Sequence, residues 1–173
     1  MYKKCFLDYD YNFFVGQDYT EQATSCIKHQ VNELKDIHEE YGGFPETFTF
    51  NNTKIHQLWF TDDQVDYEKI GSQLGIDVVT VSAIKQPPGQ IVPWHRDTFF
   101  QIKKRFPNDD RLKVRANIYL QEWKMGQLIQ YDDTVDVKWS PGHGHIWDSQ
   151  VLHLSANAGF HDKYTLQVSG FLT

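Results

Sequence analysis

Cysteine is nearly missing from this chain: Cys5 and Cys26 are the two in 173 residues, and no CxxC spacing occurs. That excludes a zinc site built on thiolates and a disulfide-stapled secreted scaffold. With no charged-then-apolar leader, a reducing cytoplasm is the expected compartment. Long apolar runs are also lacking; none approaches the ~20 residues that cross a bilayer, so no membrane association is expected. Positive charge is the minority sign, 17 lysines and arginines against 23 acidic residues for a net charge of −6. Apart from Lys103-Lys104-Arg105 there is no basic stripe, and no nucleic-acid partner is expected. That short run reads first as a solvated face and second as the basic rim of a site. Repeats, low-complexity tracts and linkers are absent too, and the length suits one domain over 1–173.

What is present divides the chain in two. Residues 19–41 place Ala23, Ile27, Val31, Leu34, Ile37 and Tyr41 at helical steps, with Thr20 as N-cap and Gly42-Gly43 as the stop. A short second helix follows "TDDQ" at 61–64, where Thr61 and Gln64 stand in the capping-box relation ahead of Val65, Ile70 and Leu74. From Ile76 onward β-branched and alternating runs are separated by Pro, Gly, Asn and Asp. The expectation is an α+β, mainly β domain: a helical part over about 19–75 packed on one face of a β-core over about 76–173.

Alternation also sorts side chains by face. In "LKVRANIYL" one face carries Leu112, Val114, Ala116, Ile118 and Leu120, and the other Lys113, Arg115, Asn117 and Tyr119. In "KYTLQVSGFL" Lys163, Thr165, Gln167 and Ser169 share a face. Such polar faces either meet water or line a barrel mouth that binds an anion.

Two His-x-acid pairs occur. His38-Glu39-Glu40 lies in the first helical stretch, where residues two apart diverge, and reads as a solvated helix face. His95-Arg96-Asp97, within "PWHRDTF", lies in extended chain, where residues two apart project to the same side. They can then share one ion, as in the 2-His-1-carboxylate triad of ferrous oxygenases. His143, His145 and His153 are the candidates for the third ligand. His143 and His145 flank a Pro-Gly turn, whereas His153 is followed ten residues later by Lys163.

"HRD" together with "HLSANAGFHDKYTLQV" resembles the Fe(II)/2-oxoglutarate-dependent oxygenase superfamily. "VRANIYL", "WSPGHGHIWDSQVLHLSAN" and "KYTLQVSGF" are similar to its aspartyl/asparaginyl β-hydroxylase branch, which, however, usually lacks the acidic ligand, has Arg in place of Lys163 and has His in place of Asn117. The resemblance covers about residues 80–172 and implies a double-stranded β-helix (jelly-roll, cupin-like) core. It implies His95, Asp97 and His153 as Fe(II) ligands, Lys163 as the cation for the C5 carboxylate of 2-oxoglutarate, and Arg115, Thr165 and Asn117 as neighbours of that co-substrate. Dioxygen would be consumed as 2-oxoglutarate is decarboxylated to succinate and a C–H bond is oxidised. The substrate would be an amino acid, a peptidyl side chain or a small metabolite.

The competing readings are a cupin-type metalloprotein using His143, His145 and His153 without 2-oxoglutarate, and a non-catalytic β-helix binding module. Trp139 and Trp147 read as core packing around the Gly142 turn, Trp94, Phe99 and Phe100 as core or rim packing, Asp132-Asp133 as a hairpin turn, and Asn157 as structural. Because His95 and His153 must be neutral to ligate, iron affinity is expected to fall below the ordinary imidazole pKa of about 6.5.

Overall fold

The computed structural model describes residues 1–20, 22–27 and 34–173. Its strands are β1 (Tyr2–Phe6), β2 (Ala23–Ser25), β3 (Lys54–Phe60), β4 (Ile76–Gln86), β5 (Gln90–His95), β6 (Lys113–Tyr119), β7 (Gln127–Tyr131), β8 (Thr134–Asp136), β9 (His143–Asp148), β10 (His153–Asn157) and β11 (Lys163–Leu172). The short helices are α1 (Tyr11–Val15), α2 (Lys35–Glu40), α3 (Tyr67–Leu74) and α4 (Phe100–Arg105). The strands form two antiparallel sheets, one ordered β1-β9-β6-β11-β4-β3-β2 and one ordered β5-β10-β7-β8. This is the mainly β, jelly-roll, cupin-like architecture expected from the sequence.

Strands β6 and β11 of the large sheet each serve two environments. Val114, Ala116 and Ile118 of β6 and Leu166 and Val168 of β11 are fully buried in the main core. Ile70 and Leu74 of α3 and Phe14 of α1 enter the same core, so helices cover this face. The opposite face carries Arg115, Asn117, Lys163, Thr165, Gln167 and Ser169 into a cavity between the sheets. The polar faces predicted by alternation therefore line the barrel interior. Leu112, exposed at 45%, lies before β6 and drops out of the apolar stripe.

The N-terminal expectation needs correction. Ala23–Ser25 is a strand, paired with Lys54–His56 at the edge of the large sheet. Helix is found over Lys35–Glu40, and the predicted positions at 28–33 lie outside the described residues. A sheet edge that needs hydrogen-bond partners outweighs a weak local helical preference. Thr20 donates both its N–H and its hydroxyl to Asp18 rather than capping a helix. Gly42 and Gly43, at φ 93° and 90°, do end α2.

β3 was not anticipated, although its alternation is clear: Leu58 and Phe60 enter the core while Ile55, Gln57 and Trp59 face the cavity. Gln64 accepts from the Thr61 N–H at 2.9 Å, but α3 starts later, behind Asp66, whose carboxylate accepts from the Lys69 N–H at 2.8 Å. Gly75, at φ 67°, closes that helix. No helix among the described residues is long and apolar enough to cross a membrane.

Candidate metal centre

The end of β5 and the start of β10 are antiparallel neighbours, and their register sets His95 opposite His153. The two imidazole centroids lie 4.1 Å apart. Asp97 follows two residues beyond His95, and one ligand atom from each of the three side chains lies within 4.8 Å of the other two. No other such group of three occurs among the described residues.

Each imidazole is oriented by its own strand. His95 Nδ1 donates to the Pro93 carbonyl at 2.8 Å, and His153 Nδ1 donates to the Val151 carbonyl at 3.2 Å. Both Nε2 lone pairs are thereby left for a metal, an arrangement typical of ligating histidines. Burial pushes both imidazoles below their ordinary pKa; for His153, with His95 adding to the effect, the value is pushed down to about 3. Both rings therefore favour the neutral, ligating form, and the expected loss of iron affinity below pH about 6.5 is not set by an ordinary imidazole.

Burial alone would push the Asp97 carboxyl up, but the Arg115 guanidinium, then His153 and His95 and the Trp147 N–H, hold it below the usual carboxylate range. Arg115 Nη1 bonds Asp97 Oδ1, and Trp147 Nε1 donates to Oδ2 at 2.7 Å. Oδ2 also lies 3.7 Å from His153 Nε2. Arg115 Nε donates to Ser169 Oγ at 3.0 Å, so this arginine, expected beside 2-oxoglutarate, stands in the structure as the counter-ion of Asp97. Trp147 was read as plain core packing; its indole N–H instead fixes a candidate ligand. Trp147 is set opposite Arg115 by the β6–β9 register, which no local feature of the sequence reveals.

In the same cavity, of about 430 Å³, Lys163 is 3% exposed and has no carboxylate partner among the described residues. Its Nζ donates to Ser155 Oγ, to the Leu128 carbonyl at 3.1 Å and more weakly to the Ala156 carbonyl at 3.4 Å. Burial pushes its pKa down to about 7. An ammonium desolvated without an anion is costly, which marks the pocket around it as a site for one. Thr165 and Asn117 line the cavity nearby, and Asn117 Oδ1 is buried without a partner among the described residues. Ser155, two residues after His153, was not singled out from the sequence and is what ties Lys163 to the strand carrying that histidine.

The alternative metal set is not assembled. His143 is exposed and packs edge-on against Phe6, whereas His145 is buried in a stack with Tyr2 and lies 3.3 Å from Asp136 Oδ2. His38 is also misread from sequence: it is buried, 8% exposed, and its Nε2 donates to the Trp94 carbonyl at 3.3 Å, while Glu39 and Glu40 meet solvent. Phe99 is buried at φ 52° and joins the cluster with Ile102 and Phe171, whereas Phe100 is exposed and lines the cavity. Trp139 stacks on Tyr119 at 4.1 Å. Asn157 is structural, its Nδ2 donating to the Gln86 and His161 carbonyls at 2.8 Å each.

Loss of the Trp147 N–H should loosen Asp97 without removing a ligand. Trp147→Phe is expected to weaken Fe(II) binding by about 10–100-fold, the range typical of outer partners of metal ligands, with the melting transition still cooperative. Metal titration of the purified variant checks this, and unchanged affinity would remove Trp147 from the site.

The chain has the double-stranded β-helix fold of the Fe(II)/2-oxoglutarate oxygenases and cupins. The viral collagen prolyl hydroxylase vCPH from Paramecium Bursaria Chlorella virus-1, solved as a 2OG complex, superposes with a TM-score of 0.51 at 18% identity, over 97% of this chain and 94% of that one. A Pseudomonas putida prolyl-4-hydroxylase gives a TM-score of 0.49 at 19% identity, over 88% and 92%. A predicted oxalate decarboxylase from Thermotoga maritima gives 0.44 at 13%, over 69% and 82%. No protein-family model and no curated protein matches the sequence.

Proposed function

We propose that this chain is an Fe(II)- and 2-oxoglutarate-dependent dioxygenase, a hydroxylase acting on an amino acid, a peptidyl side chain or a small metabolite. The observation that carries the reading is the coexistence, in one cavity, of a two-histidine, one-carboxylate triad and a buried lysine with no acidic partner among the described residues. The donor set suits ferrous iron, since two imidazoles and one carboxylate would hold one side of such an ion and leave the other open for co-substrate and dioxygen. His95, Asp97 and His153 would hold it. The bound iron supplies activation of dioxygen coupled to decarboxylation of 2-oxoglutarate.

The protein's own share is positioning. Pro93 and Val151 carbonyls aim the imidazoles, and Arg115 and Trp147 clamp Asp97. Lys163, with Thr165 beside it, would take the far carboxylate of the co-substrate. The surrounding walls limit water around the reacting groups. The first experiment is an anaerobic titration of metal-free protein with Fe(II) and 2-oxoglutarate, read by the visible metal-to-ligand charge-transfer band of the chelate. A saturable band near one equivalent is expected; iron binding without that band would defeat the 2-oxoglutarate assignment.

The depressed Lys163 pKa sets a pH dependence. Binding a carboxylate favours the ammonium form, while the free site loses its proton near pH 7. The apparent dissociation constant for 2-oxoglutarate is therefore expected to be flat below pH 7 and to rise about tenfold per pH unit above it. Titrations between pH 6.5 and 8.5 check this; a flat profile would mean that Lys163 does not bind the anion. Stability moves the other way. The unfolded lysine, with a pKa near 10.4, binds more protons than the folded one above pH 7, so this group's contribution to the stability of the free protein grows with pH across that window.

A further inference from the structure

We propose that the substrate carries a carboxylate beside an apolar body, and that Arg96 at the cavity mouth takes the carboxylate; this rests on the oxygenase reading above. The cavity lining holds three cations, Arg96, Arg115 and Lys163, and one carboxylate, Asp97. The lining therefore has an excess of cationic over acidic side chains, in a protein whose net charge is −6. Ferrous iron and dianionic 2-oxoglutarate neutralise each other, so loading the site leaves that excess in place.

The three cations are not equivalent. Arg115 is engaged with Asp97, and Lys163 is buried and held by Ser155 and the Leu128 carbonyl. Arg96 is half-buried between two candidate ligands, and its Nε donates to the Gln150 carbonyl at 3.1 Å. That bond anchors the side chain to the loop before β10 and leaves the two Nη groups, the fork that matches a carboxylate, without an acidic partner among the described residues. α4 borders the same mouth through Phe100, Gln101 and Ile102 and carries Lys103 and Lys104, both exposed, in its last turn. Cations around a low-dielectric mouth concentrate anions and repel amines. The solvated run seen in the sequence follows directly on residues that line the cavity.

The body of the substrate has its own surface. Trp59 on β3 and Phe100 at the start of α4 both line the cavity while remaining 50% and 58% exposed. Large aromatics left open at a cavity wall are contact surface for an apolar or flat group. A carboxylate on such a body is found in free organic acids and acyl amino acids, and in acidic side chains of a peptide flanked by apolar residues.

The test uses the full chain loaded anaerobically with Fe(II) and saturating 2-oxoglutarate. Phenylacetate, phenylacetamide and phenethylamine form one matched series; blocked peptides with Glu or Gln between phenylalanines form the other. Binding is followed by perturbation of the charge-transfer band and by saturation-transfer NMR. A carboxylate is expected to bind at least tenfold more tightly than its amide, with the responding series distinguishing a free acid from a peptide, and Arg96→Gln is expected to erase the difference. Equal or tighter binding of the amide or amine, no preference in either series, or a preference that survives Arg96→Gln would overturn the proposal. Absence of the band in the wild-type protein is instead a failure of the oxygenase reading; the NMR comparison then runs on the unloaded Lys163→Ala protein, where carboxylate selection by Arg96 is still read.

Discussion

Replacing His153 by alanine is expected to abolish stoichiometric iron binding. The imidazole is 6% exposed, lies 4.1 Å from the His95 ring and 4.8 Å from that of Trp147, and is aimed by the Val151 carbonyl. Its removal leaves a histidine and a carboxylate already committed to Arg115 and Trp147, too few donors to hold a divalent ion against water. The loss should exceed the ~10–100-fold cost of removing an outer partner. His143→Ala, at an exposed position outside the cluster, should leave iron binding as it is. Metal content after gel filtration and the charge-transfer titration read both variants. Iron lost in His143→Ala as well as in His153→Ala would transfer the site to the cupin-type set, and iron retained in His153→Ala would exclude both sets.

The second large effect is expected at Lys163. Lys163→Ala should keep iron binding close to that of the parent, because Lys163 touches none of the three ligands, its contacts being Ser155, Leu128 and Ala156. The affinity for 2-oxoglutarate should fall by about two to four orders of magnitude, since leaving a buried charge without its partner costs roughly 3–5 kcal/mol. Lys163→Met keeps much of the side-chain volume and should show the same split, which separates loss of charge from loss of packing. Separate titrations with Fe(II) alone and with 2-oxoglutarate at saturating Fe(II) measure the two affinities. Equal 2-oxoglutarate affinity in the variants would sink the assignment of this lysine.

Much of the site was legible because strand periodicity is a local property. His95 and Asp97, two apart in extended chain, had to project together, and Lys163, Thr165, Gln167 and Ser169 had to share a face whatever that face met. The same reasoning failed where a side chain's role depends on something distant in sequence. His38 has helical spacing and acidic neighbours, yet packing against Phe44 and the Trp94 carbonyl buries it. Arg115 was placed on the correct face, but its partner Asp97 lies 18 residues away on the loop after β5, and nothing local links the two. Trp147 lies 50 residues from the carboxylate it bonds. The strand at Ala23–Ser25 exists because β3 offers it hydrogen bonds, information absent from its own composition.

The sequence by itself determined the mainly β class, the face on which each polar side chain lies and the joint projection of His95 and Asp97, because alternation and His-x-Asp spacing are set by backbone geometry alone. Tertiary structure alone brought His153, the distal histidine implied by the resemblance, beside His95 and Asp97, set Arg115 against Asp97, and left Lys163 buried without an acidic partner among the described residues. Those outcomes follow from the register of β5 against β10 and of β6 against β11, where hydrogen-bond pairing across tens of residues fixes which side chains share one cavity.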